Sequence, residues 1–113
     1  MKKINVLGTE YTIEYKTELQ DKFLEDSNGY CDITSKRIVI LSEKRETDEI
    51  DVFKFLQYKT IRHELVHAFL FESGLFNNTY NTDGGWAKNE EMVDWIATQF
   101  PKLLEAFKEA ECI

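Results

Sequence analysis

Residues 51 to 73 read DVFKFLQYKTIRHELVHAFLFES, contain neither glycine nor proline, and stop at Gly74, where a helix cap belongs. Asp48, Glu49 and Asp51 precede or enter the first turn, where carboxylates complement the positive end of a helix dipole. One long helix is predicted over 51–73. Its second half carries Ile61, Leu65, Val66, Ala68, Phe69, Leu70 and Phe71 on nearly every side, which predicts a helix running through the interior. Into this apolar stretch falls His63-Glu64-Leu65-Val66-His67, which holds both histidines of the chain.

Upstream, residues 2 to 16 alternate, with Ile4, Val6, Tyr11, Ile13 and Tyr15 apolar and Gly8-Thr9 between the runs, the pattern of a strand hairpin. Leu19, Phe23 and Leu24 have helical spacing but lie in a short segment, so a helical turn is expected before Asn28-Gly29. Tyr30 to Ile33 and Arg37 to Leu41 flank Thr34-Ser35-Lys36 and predict a second hairpin. Downstream, Asn77 to Gly85 is loop chemistry. A further helix is expected from Trp86 or Asn89 to Phe100, interrupted by Pro101, with Leu103, Leu104, Phe107 and Ala110 continuing an amphipathic stretch. Sheet first and helices after predict an α+β fold, a small mixed or antiparallel sheet packed on the central helix and C-terminal helices.

The chain has 113 residues, which suits a single domain over 1–113. A hydrophobic share of 42% with one proline supports a buried core rather than disorder. No run approaches the ~20 apolar residues of a membrane span, and no signal-peptide stretch opens the chain, so an unexported, cytoplasmic protein is expected; a monomer is expected as well. With 21 acidic against 14 basic residues the surface field opposes a phosphate backbone, and nucleic acid is a poor partner. Cys31 and Cys112 are too few for a disulfide scaffold or a four-cysteine zinc site and read as incidental thiols.

Residues four apart on a helix lie one above the other, so His63 and His67 can aim both imidazoles at one Zn²⁺. Glu64 is rotated by about 100° from His63 and can reach a metal-bound water without being a ligand. Burying two imidazoles and a carboxylate uncompensated is costly, and a metal resolves that conflict. A third ligand should come from Asn89-Glu90-Glu91-Met92-Val93-Asp94-Trp95. Against the stripe of Val93, Ile96, Ala97 and Phe100, Glu90 lies about 70° from the centre and Glu91 about 170° away. Glu90 is the predicted ligand. Asp94, one turn on, is placed to accept the free ring N–H of a ligating histidine.

His63-Glu64-x-x-His67 followed by Glu90-x-x-x-Asp94 resembles the signature of gluzincin metallopeptidases, and Asn89-Glu90 with Asp94 matches the Asn-Glu-x-x-x-Asp arrangement of the thermolysin group. The small size, the hairpin at Gly29-Tyr30-Cys31-Asp32 and the run from Glu90 to Phe100 are more similar to minimal phage-type or repressor-cleaving (ImmA/IrrE-like) metallopeptidases. The resemblance covers roughly residues 29 to 101. It implies a zincin-like fold, one zinc per chain, Asn89 and Asp94 supporting the ligands, and a protein or peptide substrate in a bacterial or phage-infected cell. It also implies Glu64 as general base and as the proton carrier to the leaving amine. Thermolysin-like enzymes have a third histidine that stabilises the oxyanion, and this chain has none. Tyr80, in the loop between the metal-binding helices, is the expected substitute, with Tyr58 and Tyr30 as alternatives.

Trp86 and Trp95 are expected to anchor helices. Arg37 to Leu41 is expected to offer an edge for an extended substrate. The rival to a peptidase is a zinc-stabilised protein-binding module with a structural metal. The base at Glu64 favours catalysis, because a closed structural site gains nothing from it.

Overall fold

The computed structural model describes residues 1–46, 48–77 and 85–113. Strands β1 (Lys2–Val6) and β2 (Thr9–Lys16) form the first hairpin, with Val6 opposite Thr9. The link is Leu7-Gly8, both at positive φ (50° and 93°), the conformation that matches the twist of tightly joined strands. Strands β3 (Gly29–Asp32) and β4 (Arg37–Leu41) form the second hairpin. Asp32 closes its turn by accepting hydrogen bonds from the Thr34 and Ser35 backbone N–H groups.

The two hairpins join through β4, which pairs parallel with β2 and sets Ile13 beside Ile38 and Tyr15 beside Ile40. The result is one mixed four-stranded sheet of order β1-β2-β4-β3. This corrects the expectation of a free edge at Arg37 to Leu41, because that strand is paired on both sides. The reason is visible in its composition. Ile38 and Ile40 face the helix layer with Tyr11 and Ile13, while Val39 and Leu41 face Leu24 and Tyr30 on the other side. A strand covered on both faces is an interior strand, and an unbroken apolar run is its signature. Among the described residues the edges are β1 and β3.

Between β2 and β3 the expected helical turn is a 3-10 turn at Lys22–Glu25, started by Asp21, whose side chain accepts from Phe23 N–H. Leu24 turns inward, whereas Leu19 and Phe23 stay exposed.

Helix α1 (Ile50–Glu72) lays Ile61, Leu65 and Ala68 on the sheet. It ends where the Ser73 N–H bonds Phe69 O at 2.9 Å and Gly74 adopts a φ of 88°. In the second half of α1, expected to run through the interior, only Phe69 is exposed, whereas Phe55 and Tyr58 of the first half are exposed as well. Among the described residues, α1 is covered by the sheet on one side and by one further helix. That further helix is α2 (Glu90–Glu109), preceded by a 3-10 turn at Trp86–Lys88. Val93 and Ala87 pack against Leu70 and Val66 of α1.

Pro101 lies inside α2 without interrupting it, contrary to the sequence expectation. Proline has no N–H for the carbonyl four residues back, which is Ala97. That carbonyl takes its hydrogen bond from α1 instead, where Arg62 Nε donates to it at 2.6 Å. No helix among the described residues is long and apolar enough to cross a membrane.

Candidate metal centre

The side chains that converge come from the crossing of α1 and α2. His63 and His67 stand one turn apart on α1, their ring centroids 4.8 Å apart. Asn89 starts α2 by accepting the Met92 N–H on its side-chain oxygen at 2.8 Å, so Glu90 becomes the first residue of the helix and projects across to α1. Asn89 therefore acts as the cap, and its contribution is to fix where the helix begins.

His63 Nε2 lies 3.1 Å from His67 Nε2 and 3.1 Å from a Glu90 carboxylate oxygen, and His67 Nε2 lies 2.9 Å from the other oxygen. All three groups offer ligand atoms within 4.8 Å of one another. Ligands at 2.0–2.1 Å around a tetrahedral ion are about 3.3 Å apart, so this triangle has the size a zinc ion needs. The donor chemistry points the same way. His63 Nδ1 is 3.2 Å from Asp94 Oδ1, and a proton placed there leaves Nε2 as a bare lone pair. A lone pair aimed at a second imidazole and a carboxylate is satisfied by a proton or a metal ion among them. Burial lowers the pKa of His67, against the pull of the Glu90 charge, and so favours its neutral, ligating form. The residues fit a divalent metal with nitrogen and oxygen donors. Glu91 lies outside the triangle and is exposed.

Glu64 is the one charged residue buried in the core among those described, 8% exposed. Burial pushes its carboxyl up to about 7, with His63 opposing and the Glu90 charge adding to the rise. It shares with His63 a cleft of about 210 Å³, also lined by Asn28, Gly29, Lys59 and Asp94. Asp94 is held on both oxygens, by His63 and by Lys59 Nζ at 3.2 Å. Burial raises its pKa, but these two donors outweigh that and keep the carboxyl below its ordinary range. Sequence reasoning missed Lys59, although a residue four before His63 on the same helix face is detectable by spacing.

Other expected residues stand elsewhere. Tyr80 lies outside the described residues. The Tyr30 hydroxyl donates to Asp21, and burial with that bond pushes its pKa up to about 12. Tyr58 is exposed on α1, and Trp86 and Trp95 are exposed rather than anchored in the core. Cys31 is half-buried in β3, and burial pushes its thiol up to about 12, which keeps it protonated and inert. No protein-family model, curated protein or solved structure matches this chain.

Proposed function

We propose that the protein is a zinc-dependent endopeptidase of minimal zincin-like architecture. The observation that carries this reading is the His63, His67 and Glu90 triangle with a buried carboxylate, Glu64, beside it in an accessible cleft. His63, His67 and Glu90 would hold the metal. When bound, zinc supplies a positive charge that polarises a carbonyl and acidifies water. Glu64, with a pKa close to neutrality, takes a proton from the attacking water as the carbon–oxygen bond forms, then passes it to the leaving nitrogen as the amide bond breaks. Asp94 holds His63 in the tautomer that ligates, and Lys59 holds Asp94.

An extended substrate chain would pair along β3, an edge strand whose first residue, Gly29, lines the same cleft as Glu64. This replaces β4 as the docking edge.

The test is Glu64→Gln, which keeps the shape of the side chain and removes the base. The variant should bind zinc and fold as the wild type does while losing peptide-bond cleavage by orders of magnitude. The readout is new protein N-termini, detected by mass spectrometry in cells expressing wild type but not the variant. Zinc binding with an identical N-terminal profile in both would overturn the peptidase and leave the zinc-stabilised binding module.

A further inference from the structure

Every carbonyl in the interior of a regular helix is already bonded within its own helix, so a side chain from a neighbouring element finds no particular one to recognise. Pro101 breaks that uniformity in α2. By removing one N–H it frees a single acceptor, the carbonyl of Ala97, and Ala97 is fully buried. A buried carbonyl away from water must find a donor or cost free energy. The donor is Arg62, which directly precedes His63.

We propose that Arg62 is a positioning residue of the metal centre, reading the carbonyl that Pro101 exposes and thereby fixing the rotation and register of α2 against α1. The contact points share one face of each helix. Along α2, Glu90, Asp94 and Ala97 occupy one face at spacings of four and three. They meet His67 and His63, then His63 and Lys59, then Arg62. From Glu90 to Asp94 the partners step back one turn along α1, as an antiparallel crossing requires, and Arg62, which meets Ala97 O, lies between the two partners of Asp94. Glu90 is on the first turn of α2, where the helix emerges from the loop, and the Arg62 bond supplies the fixed point two turns further in. A turn of α2 by one residue would swing Glu90 away by about 100°. This inference rests on the reading of His63, His67 and Glu90 as metal ligands and not on the peptidase chemistry.

The test separates positioning from mere satisfaction of a buried carbonyl. Arg62→Ala removes tether and donor together. Arg62→Ala combined with Pro101→Ala restores an N–H for Ala97 O within α2 but not the link to α1. The double variant should recover the melting temperature of the metal-free wild type, yet bind added Zn²⁺ about tenfold more weakly, the lower end of what supporting groups contribute. In the same metal-free samples, nitrogen NMR of His63 should show the Nδ1–H bond to Asp94 in wild type and its loss in the double variant. Wild-type zinc affinity and an unchanged His63 signal in the double variant would overturn the proposal. Were the wild type to bind no zinc, the ligand reading would fail, while the His63 signal would still decide the role of Arg62: lost, it supports positioning; kept, it refutes it.

Discussion

Replacing Glu90 by alanine removes the only carboxylate of the ligand triangle while leaving both imidazoles in place. Its side chain is 70% exposed, so the metal-free fold should hardly respond. The effect belongs to metal linkage. Zinc at about 1,000 times its dissociation constant stabilises a folded state by about 4 kcal/mol. At roughly 4 °C per kcal/mol for a chain of this length, that is a rise of about 16 °C in Tm. Loss of a direct ligand should weaken binding by at least the ~100-fold seen when outer partners are removed. The same zinc concentration is then about ten times the new constant, which supports only about 1.4 kcal/mol. The zinc-dependent rise should shrink to about 6 °C. Thermal melts of both proteins with zinc and with chelator measure it directly. Glu91→Ala is the matched control, since Glu91 lies one residue on and outside the triangle, and it should keep the full rise. The opposite pattern, Glu91→Ala damaging and Glu90→Ala neutral, would mean that α2 is rotated from the position described.

Two further outcomes concern the scaffold. Glu72 accepts hydrogen bonds from Lys36 Nζ at 2.9 Å and the Tyr11 hydroxyl at 2.7 Å, and these hold its pKa at about 2. A folded pKa below the ordinary carboxylate value means that this stability is present above about pH 4.5 and fades as pH falls toward 2. Glu72→Gln should therefore flatten part of the acid limb of Tm against pH; Asp32, held low by Thr34 and Ser35, accounts for another part of that limb. An acid limb unchanged by the substitution would refute the assignment. At Gly29 a methyl group would sit 2.9 Å from both Val39 O and Thr60 Cγ2, with backbone on one side and α1 on the other. Gly29→Ala should cost about 1–3 kcal/mol by overpacking and lower Tm by about 4–12 °C, readable in a denaturant or thermal melt. A variant as stable as wild type would show that β3 can move off α1.

Features that depend on neighbours along the chain are legible in the sequence. Both helices, the Gly74 stop and the two hairpins follow from spacing, caps and turn residues within a few positions of one another. So does the juxtaposition of His63 with His67, because a four-residue step on a helix carries its own geometry. The facing of Glu90 could be inferred from the stripe around Val93, since an apolar face must turn toward the body of the protein. Other features depended on groups distant in sequence. The centrality of β4 follows from Leu24 covering one face and α1 the other, a choice of layer that no local pattern dictates, although the unbroken run Ile38-Val39-Ile40-Leu41 hinted at it. Pro101 reads locally as a break and is none, because the acceptor it orphans is satisfied by Arg62 across 35 positions of sequence. The Lys59, Asp94 and His63 chain exists for the same reason. Periodicity states which way a side chain turns on its own element, but only packing decides which other side chain stands opposite, and a site built at a helix crossing consists of such opposites.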